Sequence, residues 1–253
     1  MDFVKVEGLR NDFIVIDGEL APSPKDVIRW CRRRDGVGAD GVLLIHPNGP
    51  DHVSMRYWNA DGGEAEMCGN GLRCVARLAV ERGWVSGPSL VVDTASGAMP
   101  ATLQPDGSVG ALVGRPKKGR VDRLTISGVE VHPITVGNPH VVHFVDDPDD
   151  TPVDSLGPTI EKDPMFPGGT NVEFVTVDSP DRIRMRVWER GVGETMASGT
   201  GATAAAFAAF HFKDAELSVT VGLRGGELQI DIIDGEAWMT GPANIVYRGV
   251  LPT

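Results

Sequence analysis

The sequence predicts a mixed α/β protein built as two lobes of similar design, each with strands wrapped around one central helix. Three observations carry that expectation. Residues 55–79 (MRYWNADGGEAEMCGNGLRCVARLA) and 185–209 (MRVWERGVGETMASGTGATAAAFAA), 130 positions apart, agree without a gap at nine of 25 positions. Ordinary composition gives roughly two such identities by chance. Each copy reads as a strand, a Gly-rich turn and a helix opening on Gly-x-Gly. The second helix, ATAAAFAAFHF, is apolar nearly all round, the pattern of a helix covered on every side.

The elements follow in order. Residues 13–17 are a β-branched run after a turn at Arg10-Asn11-Asp12, and 24–33 is a helix with Ser23 as N-cap and Pro24 at its first position. Residues 41–45 and 53–58 are strands, the second with clear alternation. The helix at 71–81 carries Leu72, Val75, Ala76, Leu78 and Ala79 on its apolar side and closes at Gly83. Short strands follow at 90–93, 101–103 and 111–113. The pattern then restarts, with strands at 135–136, 141–145, 171–177 and 183–188 and a helix at 202–212. The polar stretch 114–119, with Pro116 inside it, is the expected lobe boundary. The acidic, Pro-bearing segment 146–158 is expected to be a surface loop.

Composition narrows the function classes. A net charge of −11 argues against a nucleic-acid or anionic-membrane partner, since either needs a basic surface to grip. The short basic run Lys117, Lys118 and Arg120 is expected to be a solvated loop. Cys31, Cys68 and Cys74 are an odd set without disulfide or zinc spacing, and Cys68, His132, His140 and His143 lack metal-ligand spacing. No metal is expected. The Gly-rich turns match neither a P-loop nor a dinucleotide fingerprint, so no nucleotide cofactor is expected either. The N-terminus MDFVKVEGLRNDF has no apolar signal region and no stretch has the length of a membrane span. A cytoplasmic protein with reduced thiols is the expectation.

The repeated motif has a physical purpose. The first N–H groups of a helix have no partner inside it and carry partial positive charge. A Gly-x-Gly opening lets a ligand approach that backbone closely, which suits a carboxylate. The same dipole favours a thiolate, and the first copy sets Cys68 just before the opening. The second copy sets Ser198 there. Two such half-sites facing one ligand could pass a proton on and off a carbon next to a carboxylate, one from each face. Cys74, six residues beyond Cys68, is expected to be a packed core thiol, and Cys31 to be structural or superficial. The repeated Glu64 and Glu194 are expected to brace the turns or the adjoining helix.

At this point the chain resembles the diaminopimelate epimerases. The resemblance runs through Asn11-Asp12-Phe13, the loop GVGADG at 36–41, NADG at 59–62 leading to MCGNG at 67–71, GNPH at 137–140, GTNVEF at 169–174 and ERGVGET at 189–195. It implies two pseudo-symmetric lobes, each a curved, mostly antiparallel sheet around a central helix, with the active site between them. The implied division is 1–114, completed by 244–253, and 115–243. It also implies a cytoplasmic homodimer that interconverts LL- and meso-diaminopimelate without pyridoxal phosphate or any other cofactor, on the route to lysine. Carried over by position, Cys68 matches one of the family's two catalytic cysteines. Gly69, Asn70, Gly199 and Thr200 match the backbone donors to the α-carboxylate. Asn11, Asn59, Asn138, Asn171, Glu189 and Arg190 match the polar residues that hold substrate. His140 fits either a helper that orients or polarises, or a structural hydrogen bond at the Pro139 turn.

Position 198 departs from the pattern, because the family has its second cysteine where this chain has Ser198. A hydroxyl is far less acidic than a thiol, which titrates at about 8.5. Impaired epimerase turnover is therefore the expectation. Three explanations stay open: a cysteine-to-serine replacement, a related racemase or other chemistry that needs one thiol, and a relative that binds an amino acid without turning it over.

Overall fold

A computed structural model describes residues 1–251. The chain folds as two compact units, Met1–Ala111 together with the stretch from Thr240 onward, and Leu112–Met239.

In the first unit the order is β1 (Asp2–Gly8), β2 (Asn11–Asp17), α1 (Pro24–Cys31), β3 (Gly41–Pro47), β4 (His52–Asn59), β5 (Glu64–Ala65), α2 (Gly69–Glu81), β6 (Ser89–Thr94), β7 (Gly97–Leu103) and β8 (Val109–Gly114). Antiparallel pairs dominate: β1 with β2, β3 with β4, β4 with β5, and β6 with β7. Two parallel pairs, β2 with β3 and β4 with β6, need crossovers, and α1 and α2 supply them. Helix α1 starts as its sequence predicts, with the Ser23 hydroxyl accepting from Asp26 N at 3.2 Å and Pro24 in the first turn. Helix α2 lies at the centre against β1, β2, β4, β6 and β7. Its Leu72, Cys74, Val75, Ala76, Leu78 and Ala79 join Phe13, Leu43, Met55 and Val92 in one buried apolar cluster.

The second unit repeats this plan. It comprises β9 (Lys117–Lys118), β10 (Leu124–Ile126), β11 (Val129–Thr135), β12 (Pro139–Phe144), α3 (Val153–Glu161), β13 (Asn171–Ser179), β14 (Arg182–Glu189), β15 (Gly193–Thr195), α4 (Gly199–Phe212), β16 (Ser218–Leu223), β17 (Gly226–Ile233) and β18 (Glu236–Gly241). A last strand, β19 (Asn244–Val250), returns to the first unit and pairs antiparallel with β1. The duplication survives in strand register. Val42 opposes Trp58 as Val172 opposes Trp188, and Trp58 opposes Glu64 as Trp188 opposes Glu194, each 130 residues on. Helix α4 lies against β11, β12, β13, β14, β16 and β17. Its Ala202, Ala204, Ala205, Ala206, Ala208 and Ala209 are all buried, so small side chains let the strands close around it, while its C-terminal Phe210 is exposed.

Two expectations are corrected. The segment expected as a loop at 146–158 becomes helical from Val153, although Pro158 sits inside the helix. Tertiary packing holds it there. A Cβ on Gly157 would fall 2.5 Å from Trp188 Cγ, and Glu161 accepts from Trp188 Nε1 at 2.8 Å. The basic run expected as loop begins with the two-residue strand β9, pairing with Ile134 and Thr135, while Lys118 bonds Asp122 at 2.9 Å.

Candidate active site

The two copies of the motif build the same local geometry. Cys68 is the N-cap of α2 with φ −143° and ψ 115°, and Ser198 is the N-cap of α4 with φ −137° and ψ 119°. The repeated acids are anchors, as their pairing shows. Arg56 donates to Glu64 at 2.8 and 3.0 Å, and Arg186 donates to Glu194 at 2.6 and 3.0 Å. Each bidentate pair ties a strand to the short strand before the helix start, which explains why both members recur in the sequence. The Gly at the third helical position also recurs for a reason. A Cβ on Gly71 would meet Leu43 Cδ2 at 3.1 Å, and one on Gly201 would meet Glu173 Oε1 at 2.9 Å and Ser198 Oγ at 3.0 Å.

The caps differ in what they bond. The Ser198 hydroxyl accepts from Gly201 N at 3.2 Å, whereas the Cys68 side chain makes no capping bond. Helix geometry leaves Gly69, Asn70 and Gly71 without a carbonyl four residues back inside α2. In α4 the serine takes Gly201 N, which leaves the N–H groups of Gly199 and Thr200 at the helix start.

Around Cys68 two of the predicted residues, Asn11 and Asn70, come together. Asn11 Oδ1 accepts from Asn70 Nδ2 at 3.1 Å and from Cys68 Sγ at 3.8 Å. Asn11 Nδ2 donates to Asp40 Oδ2 at 2.7 Å. Asp12 beside it bonds Lys5 at 2.6 Å and Arg33 at 2.7 Å. Burial opposes the Asp12 carboxylate, but the hydrogen bonds from Arg33 and Lys5 outweigh it and hold its pKa at about 2. Asn59 is exposed at the end of β4, where its backbone N–H bonds Gly63 O at 2.9 Å.

In the second unit Asn171 is a tie between segments. Its Nδ2 donates to Pro139 O and its Oδ1 accepts from Arg190 N, both at 2.9 Å. Glu189 accepts from Thr195 Oγ1 at 2.5 Å, and burial pushes its pKa up. Arg190 is exposed, with Nη1 donating to Gly168 O at 3.3 Å. Asn138 Oδ1 accepts from His140 Nε2 at 2.9 Å, and His140 Nδ1 lies 2.7 Å from Glu173 Oε1. His140 and Glu173 have fully buried side chains, and Glu173 Oε2 has no hydrogen-bond partner. Burial raises the Glu173 pKa, which favours the form in which this carboxyl shares its proton with Nδ1.

Sequence reasoning missed three residues around these sites: Asp40, Glu173, and Arg73, whose Nη2 donates to Asn70 Oδ1 at 2.8 Å. All three stood inside quoted motifs without a role. The repeat offered a signal for one, because Glu173 occupies the position that Leu43 holds 130 residues earlier. A buried acid where the other copy keeps leucine marks a change of use.

The other thiols are set apart. Cys31 and Cys74 are buried, and burial pushes their pKa values up to about 11 and about 12. Cys68 is half-buried. Iodoacetamide at about pH 8 is therefore expected to modify one thiol per native chain and all three in urea, as counted by intact mass. Rapid labelling of two or more native thiols would contradict this. Among the described residues no cluster of His, Cys, Asp or Glu could hold a metal, and no helix is long and apolar enough to cross a membrane.

The fold is one shared by racemases, epimerases and their relatives. A phenazine biosynthesis protein of the PhzF family from Bacillus anthracis superposes with a TM-score of 0.76 at 16% identity, covering 100% of this chain and 99% of that one. A hydroxyproline epimerase from Agrobacterium vitis superposes with a TM-score of 0.72 at 16% identity, covering 98% and 90%. The narrower assignment comes from sequence. The diaminopimelate epimerase profile matches residues 3–119 and 133–246, and this chain belongs to that family. The diaminopimelate epimerases of Moorella thermoacetica and Pelotomaculum thermopropionicum are 41% and 43% identical to it, each across 100% of this chain and 99% of the relative.

Proposed function

We propose that this chain is a cofactor-independent isomerase that epimerises diaminopimelate at an α-carbon, with Cys68 as its thiol acid/base and Ser198 in the second proton carrier's place. One observation carries the reading: Cys68 and Ser198 cap matched helix starts with matched backbone angles in a chain of this family. Removing an α-proton pushes charge onto the neighbouring carboxylate. N–H groups at a helix start, from Gly69 and Asn70 and from Gly199 and Thr200, stabilise that charge as it grows. Asn11, Asn59, Asn138, Asn171, Glu189 and Arg190 supply the acceptors and donors that a zwitterionic substrate needs at its two ends. A working homodimer in the cytoplasm completes the proposal, supported by membership of this family.

A thiol can take or give a proton near neutral pH, and a capping serine hydroxyl cannot become an alkoxide there. The protein is therefore expected to wash deuterium into the α-position of one stereoisomer faster than it inverts that carbon. The test is NMR of LL- and meso-diaminopimelate in D2O with the parent, Cys68→Ala and Ser198→Cys proteins. Cys68→Ala should abolish exchange. If neither the parent nor Ser198→Cys exchanges either isomer, the substrate assignment is wrong.

A further inference from the structure

The 36–41 loop and the fifth residue of α2 have no part in the chemistry above, yet both end at Asn11. Starting from the loop, Asp40 Oδ2 accepts from Asn11 Nδ2 at 2.7 Å. Asn11 Oδ1 accepts from Asn70 Nδ2 at 3.1 Å, and Asn70 Oδ1 accepts from Arg73 Nη2 at 2.8 Å. A guanidinium only donates and an ionised carboxylate only accepts. The two ends therefore dictate which way each amide points. Turning Asn11 over would set oxygen against oxygen at Asp40, and turning Asn70 over would set N–H against N–H at Arg73.

Both ends are fixed. Asp40 Oδ1 also accepts from Arg33 Nη2 at 2.6 Å, its Oδ2 accepts from Asp12 N at 3.1 Å, and Arg73 is fully buried. The only orientation left turns the Asn11 oxygen towards Cys68 Sγ, 3.8 Å away. An acceptor in that place favours the protonated thiol, while the helix start favours the thiolate.

We infer that Asp40 and Arg73 are positioning residues of the Cys68 half-site, clamping the Asn11–Asn70 amide pair from its two ends so that the Asn11 oxygen holds the Cys68 thiol as a proton donor. The inference rests on the reading of Cys68 as a proton carrier. Arg73 and Cys74 on α2 interact electrostatically with this thiol, Glu7 on β1 acts on both of them, and Lys5, Asp12, Arg33 and Asp40 form an ion-pair cluster at the Asn11 end.

The experiment is the pH profile of Cys68 alkylation by iodoacetamide in the otherwise unaltered protein, without substrate, read by peptide mass. Asp40→Asn removes the fixed acceptor and lets Asn11 turn an N–H towards sulfur. Its alkylation midpoint should fall by roughly one pH unit, giving about tenfold faster labelling below the midpoint. Asn70→Asp keeps a partner for Arg73 but cannot donate to Asn11 when ionised, and it adds negative charge beside the sulfur. Its midpoint should rise. Opposite shifts that persist in about 1 M salt, where the charge added or removed is screened, are the signature, because a merely structural role then lowers thermal stability and moves neither midpoint. Profiles that superimpose on the parent's in folded variants overturn the inference, and if Asp40→Asn fails to fold, Asn70→Asp decides alone. Alkylation needs no diaminopimelate, so shifted midpoints in a protein that exchanges no substrate would sink the functional reading and leave the clamp intact.

Discussion

Replacing Ser198 with cysteine is expected to raise epimerisation turnover by a factor on the order of 10² or more, at a small cost in stability. A well-placed general acid or base contributes about 10²–10⁴ to rate, and a group that cannot change protonation near neutral pH forfeits that contribution. In the proposed reaction Ser198 takes the second carrier's place, and its setting suits one: it is buried, it caps α4, and its Oγ lies at the first turn. What it lacks is acidity. Sulfur restores that, since a thiol at a helix N-terminus titrates below its free value of about 8.5.

The opposing term is the cap. The hydroxyl accepts from Gly201 N at 3.2 Å, and losing a serine cap costs about 1 kcal/mol. Helix α2 shows that the fold tolerates the loss, because Cys68 makes no capping bond. Ser198→Cys should therefore show higher kcat, little change in KM because the backbone donors at Gly199 and Thr200 remain, and a slightly lower urea midpoint. Equal kcat in the two proteins would mean that the hydroxyl does not limit the reaction.

The half-sites were legible in the sequence because their determinants are local. A cap residue, a Gly-x-Gly opening and an Arg–Glu pair eight residues apart all sit within one strand–turn–helix unit. The contacts that orient the side chains were not legible. Asp40 reaches Asn11 across 29 positions and Asn70 reaches it across 59, so they meet only once β2 pairs with β3 and α2 packs beneath. Strand β1 escaped notice because four successive residues, Phe3 to Val6, are buried and give no alternation. Helix α3 escaped because its hold on Trp188 outweighs the Pro158 inside it.

The buried pair His140 and Glu173 gives the second large effect. Phe13 stands opposite Gly41 as His140 stands opposite Asn171, so the first unit keeps Phe13 and Leu43 in the positions that the second gives to His140 and Glu173. Phe13 and Leu43 are fully buried in one apolar cluster. Removing one member of a buried polar pair strands the other, at about 3–5 kcal/mol. Glu173→Leu leaves Nδ1 of His140 without its partner, and His140→Phe strips Glu173 Oε1 of its bond to the imidazole while Oε2 already has none. The double variant, His140→Phe with Glu173→Leu, installs the pair that the other unit already uses. Replacing both partners by apolar groups is often neutral or stabilising. With a small overpacking cost for the larger ring, the double variant should unfold within about 1 kcal/mol of the parent. Urea unfolding of all four proteins closes the cycle, and a double variant as unstable as the sum of the singles would refute this account. The stable double variant should nonetheless epimerise at least about tenfold more slowly. Stability kept while turnover falls would assign the polar pair beside Gly201 and Ser198 to the reaction, through the proton it shares, rather than to the core.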